Sequence, residues 1–233
     1  MHSLKSPYNA LVFGASGGIG SALCARLDED DRCAGAIGVC RRRFPGFDLQ
    51  TEDSIAHLAE HLKSGHDAFD LIIVATGVLT VGTQGPEKSI RHLDPEIMAR
   101  SYWVNAIGPA LILKHFWRFL PRGEKSVFVC LSARVGSIQD NGLGGWTSYR
   151  ASKAALNQIV RTSAIEITRA RPQAVCVAVH PGTVDTGLSR PYAGNLPTVT
   201  PALAAGRILD TVDRLTPDDS GGFFAYDGRP IPY

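Results

Sequence analysis

Tyr149 and Lys153 stand four residues apart in a stretch of helical spacing, which puts a phenol and an ammonium on one helix face. A free tyrosine ionises at about pH 10, too high for efficient proton exchange near neutrality. A cation one turn away favours the phenolate, so Lys153 is expected to lower that value and make Tyr149 a usable acid or base. The same ammonium can bond a ribose hydroxyl and hold a nucleotide in place. Tyr–Lys pairs at this spacing are commonplace on helix surfaces; this one gains meaning from a second feature near the N-terminus.

That feature is Gly14-Ala15-Ser16-Gly17-Gly18-Ile19-Gly20, which follows the apolar run Ala10-Leu11-Val12-Phe13 and precedes a helix-like stretch. Glycines at a strand-to-helix turn allow a tight bend, close helix packing and approach of backbone N–H groups to phosphate oxygens. The helix N-terminus adds partial positive charge. The next apolar run, 34–40, ends in Arg41-Arg42-Arg43, with no acidic residue before Asp48. NAD sites commonly place an acid there against the ribose, whereas an arginine receives a 2′-phosphate. Arg41 is the best candidate for that contact, and NADP is favoured over NAD. Cradle and Tyr–Lys pair together predict a nicotinamide-dependent oxidoreductase.

The same residues resemble the short-chain dehydrogenase/reductase family in its compact single-domain form. Four of its motifs occur in order: the glycine run, Asn105 within Val104-Asn105-Ala106, Tyr149-Arg150-Ala151-Ser152-Lys153, and Pro181-Gly182-Thr183-Val184-Asp185-Thr186. Segments 132–138, 144–149 and 222–228 are most similar to the sniffer and C-factor carbonyl reductases. The resemblance implies hydride transfer between NADP and a small carbonyl or alcohol substrate, with Tyr149 protonating the developing alkoxide. It implies that the Asn105 backbone holds a water linking Lys153 to solvent. It assigns Asp48 and Leu49 to the adenine and lets Gly77 of Ala75-Thr76-Gly77 approach the adenosine or ribose. Val184 and Thr186, beyond the Pro181-Gly182-Thr183 turn, become candidates for the carboxamide. A homodimer or homotetramer built through helices at 95–119 and 149–170 is also implied. From the residues alone, a satisfied interior amide is the better reading of Asn105, and Asp48 reads equally as a surface-turn acid.

One position departs from the family. Its serine, three residues before a glycine, falls here on Ala133. Ser132 is the expected substitute ahead of Ser137, although adjacent strand side chains alternate faces; a third possibility is that Tyr149 works without a serine. Ala133 keeps alive the alternative of a catalytically weak cofactor-binding sensor or interaction protein. Val74-Ala75-Thr76-Gly77 stands where the family commonly has Asn-Asn-Ala-Gly, and Phe13 where it often has threonine. Both changes read as structural. His180 reads as a strand-end packing or polar-network residue.

The elements that must position these groups follow from periodicity. Apolar strands are expected at 8–13, 34–40, 70–75, 126–131, 174–180 and 222–226, with a brief seventh near Phe47-Asp48-Leu49. Helices are expected at 18–28, 52–63, 95–119, 149–170 and 200–213. Runs apolar throughout suit a parallel sheet covered on both faces, and the alternation predicts right-handed crossovers. The expectation is α/β: a Rossmann-like doubly wound sheet of about seven strands, one NAD(P)-binding domain over 1–233. The polar, turn-rich stretch 184–200 is expected to form a substrate lid, with Trp146, Leu188 and Tyr192 as possible apolar walls. A net charge of +2 with interspersed signs gives no case for nucleic acid. No run approaches membrane-spanning length, and the five cysteines show no metal-type pairing, so no metal and a cytoplasmic location are expected.

Overall fold

The first strand, β1 (Tyr8–Phe13), is buried at both faces, and its end turns directly into α1 (Gly18–Asp28). In a computed structural model that describes residues 1–195 and 197–233, this unit recurs along the chain. It continues as β2 (Cys33–Val39), α2 (Glu52–Lys63), β3 (Leu71–Val74), α3 (Pro95–Tyr102), α4 (Gly108–Phe116), β4 (Ser126–Leu131), α5 (Thr147–Ala170), β5 (Ala174–His180), α6 (Pro201–Arg214) and β6 (Phe223–Ala225). All neighbouring strands pair in parallel, in the order β2-β1-β3-β4-β5-β6. This is a Rossmann-like doubly wound sheet, with one apolar core on each face.

The sheet has six strands among the described residues, not about seven. Phe47-Asp48-Leu49 is loop. Turn bonds from Arg43 and Phe44 to the Cys40 carbonyl, and from Phe47 to Phe44, curl the chain there. Phe47 is apolar because it packs on Phe13, ring centroids 6.0 Å apart, not because it extends a sheet. Phe13 also meets Phe116 edge-on at 4.9 Å, which accounts for an aromatic ring at that position. The expected helix 95–119 is one continuous rod, but residues Trp103–Ile107 form a π-turn between α3 and α4.

The strand order reverses between β1 and β3, so their C-terminal ends diverge and leave a crevice. Gly14, at φ +84°, brings the β1 loop so close to β3 that a Cβ there would sit 2.9 Å from the Ala75 carbonyl. Only glycine fits.

Candidate active site

The crevice is a cleft of about 400 Å³. Gly14, Ser16 and Gly17 line it from the first loop, Arg41 from the end of β2, Asp48 and Leu49 from the following loop, and Ala75, Thr76 and Gly77 from the end of β3. Cys40, Phe47, Val78 and Val104 line it too, and none was singled out from sequence; Val104 adjoins the motif asparagine, and the others carry no motif. Gly20 serves packing, since a Cβ there would lie 2.2 Å from the Gly14 carbonyl oxygen. At Gly18 it would meet the Thr186 side chain at 2.7 Å, so the stretch after Pro181 rests on the glycine loop. Ile19 is half-buried and packs into the core.

Asn105 sits in the π-turn and is fully buried. Its amide donates to the Val78 carbonyl at 2.9 Å and to Ser152 Oγ at 3.1 Å, and it accepts from the Val78 N–H at 2.8 Å. The side chain is therefore a satisfied interior amide that ties the β3 loop to α5. Irregular helical turns of this kind recur at functional sites.

Lys153 is 3% exposed, and its Nζ donates to the Leu131 carbonyl at 2.9 Å. Burial pulls its pKa down to about 8. Burial also pushes the Tyr149 phenol up to about 12. The expected lowering by the ammonium is thus not met here: desolvation dominates, and the ammonium is turned to a backbone carbonyl. A Cβ on Gly77 would lie 3.3 Å from Asn105 Oδ1 and 3.6 Å from Lys153 Nζ, so cleft wall, amide and ammonium converge at one point. Tyr149 lies one turn above Lys153 on α5, its ring edge-on to Trp146 at 6.3 Å.

At the far side, Gly182 takes φ +83° and Val184 is buried, paired through a short parallel bridge with Val199. Thr183 accepts from the Val199 N–H at 3.0 Å, so the two ends of the 184–200 stretch are pinned together. Leu196, within that stretch, lies outside the described residues.

A family model described as short chain dehydrogenase matches residues 8–195. The chain is a short-chain dehydrogenase. A 1-hydroxy-2-glutathionyl-2-methyl-3-butene dehydrogenase of Rhodococcus sp. (strain AD45) is 30% identical to it, over 94% of this chain and 96% of that protein. The C-signal protein of Myxococcus xanthus is 35% identical over 69% of this chain and 96% of its own. Among solved structures, the carbonyl reductase Sniffer of D. melanogaster superposes with a TM-score of 0.84 at 20% identity, covering 98% of this chain and all of that one. The likeness to C-signal thus holds in sequence and the likeness to Sniffer in fold, and the protein is an NAD(P)-dependent oxidoreductase.

The cleft of this short-chain dehydrogenase fits a dinucleotide on two observations. Thr76 Oγ1 is buried with no hydrogen-bond partner among the described residues, and Gly14 and Gly17 present backbone without a side chain to the cleft. The serine position is different. Ser132 is buried at the end of β4, and its hydroxyl donates to Asn157 Oδ1 at 2.6 Å. Asn157 lies two turns down α5 from Tyr149, about 12 Å along the helix at ~1.5 Å per residue. The Ser132 hydroxyl is thus engaged by an interior amide one turn beyond Lys153 on α5. Ser137 is buried as well, and its hydroxyl accepts the Asp140 N–H at 3.0 Å.

Proposed function

We propose that the protein is an NADP-dependent carbonyl reductase in which Tyr149 is the general acid. The observation that carries this is the convergence of Gly77, Asn105 and Lys153 where the glycine-lined cleft meets the first turns of α5. Bound NADPH supplies the hydride. Gly14, Ser16, Gly17 and Gly18 seat the pyrophosphate, with Ile19 and Gly20 holding their turn against the sheet. Arg41 receives the 2′-phosphate: it is exposed at the cleft edge, and no salt bridge engages it among the described residues. Asp48 and Leu49 flank the adenine, and Ala75, Thr76 and Gly77 form the cleft floor. Pro181, Gly182, Thr183, Val184 and Thr186 face the nicotinamide end.

Tyr149 Oη gives its proton to the substrate oxygen as negative charge develops there. A phenol near pKa 12 is fully protonated at neutral pH, which is the form that reduction requires. Lys153, once released from the Leu131 carbonyl, can bond a ribose hydroxyl and stabilise the ionised phenol after transfer. Asn105 fixes the loop opposite, and its π-turn backbone is the candidate holder of a water behind Lys153. Residues 184–200 act as the lid, with Tyr192 and Trp146 as aromatic walls, and a small carbonyl compound as substrate.

The test is Tyr149→Phe. Carbonyl-dependent NADPH oxidation should fall by roughly 10²–10⁴-fold, while NADPH affinity measured by fluorescence titration stays intact; substantial residual turnover would end the assignment. A second reading, a weakly catalytic cofactor-binding sensor, draws on Ala133 and on the internal use of Ser132. NADPH binding with no turnover across a broad carbonyl panel would favour it. A homodimer or homotetramer through the helices at 95–119 and 149–170 would draw on the groove of about 810 Å³ lined by α2, α4 and α5, with Ala59, Ala110, Trp117 and Ile159 on its walls; light scattering reads it directly. Five free thiols suit a reducing compartment such as the cytoplasm. No helix among the described residues is long and apolar enough to cross a membrane.

A further inference from the structure

Helix α5, which carries Tyr149 in its first turn, has no side-chain cap of its own. The residue at the cap position is Trp146, and it makes none. The first N–H groups of a helix have no partner within it, and leaving them buried and unpaired is costly. Trp146 is also the one non-glycine residue with positive φ among the described residues, at 54°. An aromatic residue in the left-handed region is strained, because its Cβ crowds the backbone. It persists only where surroundings hold it.

Both needs are met by one residue from another part of the chain. Glu87, in the long loop after β3, is 6% exposed. Its carboxylate accepts the Ser148 N–H at 3.2 Å, at the second position of α5, and also accepts from the Ser148 hydroxyl. Its main-chain carbonyl accepts the Trp146 N–H at 2.6 Å. A buried carboxylate at a helix N-terminus is favoured by the positive end of the helix dipole as well as by these bonds. Two residues earlier, Gly85 leaves room for Tyr192: a Cβ there would lie 2.5 Å from its hydroxyl oxygen. The Tyr192 ring in turn meets Trp146 edge-on at 5.8 Å. Glu87 thus holds the helix turn that bears Tyr149 and the strained residue that bears the adjacent ring.

We propose that Glu87 is a positioning residue for the reaction: it caps α5 from outside and thereby fixes both Tyr149 and Trp146 over the substrate. It touches neither substrate nor cofactor. This inference rests on Tyr149 being the proton donor. Displacing a donor by about 1 Å can cost on the order of 10²-fold in rate without altering how the nucleotide binds. Glutamine can remake both contacts, its oxygen accepting the Ser148 N–H and its amide donating to Ser148 Oγ. Alanine can remake neither.

The experiment compares Glu87→Ala, Glu87→Gln and Ser148→Ala in the full chain, using NADPH and a carbonyl compound that the wild type reduces. Glu87→Ala should lower kcat by roughly 10- to 100-fold, with NADPH affinity within about twofold of wild type. Glu87→Gln should restore kcat to within about threefold of wild type, and Ser148→Ala should lie between them. A Leu62→Ala core variant, remote from the cleft, serves as a control with lowered Tm; its kcat at a temperature where it is folded should not fall in step. Should Glu87→Ala keep wild-type kcat, or should Gln fail to rescue while Tm tracks the loss, the positioning role is wrong. Where Glu87→Ala does not fold, Gln and Ser148→Ala still decide it, since unchanged kcat in Ser148→Ala together with a collapse in Gln overturns the proposal. Tyr149→Phe run alongside separates the failures: if it stays active, the proton-donor reading has fallen instead.

Discussion

Just past the end of β4, Ala133 carries a methyl at the position where the family resemblance implies a serine hydroxyl for the substrate oxygen. Ala133 is 9% exposed, and the neighbouring hydroxyls of Ser132 and Ser137 are bound to Asn157 and to the Asp140 N–H. If Tyr149 alone contacts that oxygen, a restored donor should strengthen binding of the developing charge. Ala133→Ser is expected to raise kcat by up to roughly 10²-fold, whereas Ser132→Ala should cost stability, about 1 kcal/mol, by leaving Asn157 Oδ1 without its donor. Steady-state kinetics paired with urea unfolding of the two variants checks both. Arg41→Ala belongs to the same scale: loss of a charge-assisted bond should weaken NADPH roughly 10- to 100-fold and NADH little, and an equal loss for both nucleotides would remove the 2′-phosphate contact. Tyr149, Lys153, Asn105 and the glycines were legible because each belongs to a spaced motif. The direction of the Ser132 side chain was not, since it depends on how the turn after β4 meets α5. Glu87 has no spacing signal at all; a lone acid in a polar loop reads as solvated until the helix end that it caps is seen.

The elements were legible where burial is two-sided. Three strands, 8–13, 126–131 and 174–180, match residue for residue, because apolar runs between crossover helices have one physical explanation. Phe47 misled because a single buried aromatic in a turn carries the same apolar signature as a short strand. The π-turn at Trp103–Ile107 was invisible, since one extra residue in a helical turn leaves the apolar spacing nearly intact. Gly136 shows how elements dock. A Cβ there would lie 2.8 Å from Lys153 Cβ and 2.9 Å from its carbonyl carbon, so the turn after β4 touches the backbone of α5. Gly136→Ala must push the two apart, and backbone atoms cannot swing aside. Overpacking of this kind costs about 1–3 kcal/mol. The expected outcome is a lowered Tm together with a loss of kcat that exceeds any change in NADPH affinity, since Lys153 is the residue displaced.

At the scale of the molecule, burial at the C-terminal ends of the strands disfavours charge, and His180 tests how tightly that is enforced. It closes β5 just before the Pro181-Gly182 turn, and its Nδ1 is buried without a partner among the described residues. Burial, aided by the Arg134 guanidinium, holds its pKa down at about 4, with Asp227 opposing. An unfolded chain would titrate this imidazole at about 6.5. Above that value the ring is neutral in both states and contributes nothing to the pH dependence. Between pH 6.5 and 4 the unfolded chain binds a proton that the folded one refuses, so stability falls as pH falls, by at most about 1.4 kcal/mol per unit. Below the folded pKa both states are protonated and the loss is complete. Ordinary carboxylates titrate near the bottom of this window, at about pH 4, which leaves its upper part to histidines. Urea unfolding at pH 7 and pH 5 should therefore show a larger loss for the wild type than for His180→Asn. Equal losses in the two proteins would mean that water reaches the ring, and that the strand ends are wetter than the packing around them implies.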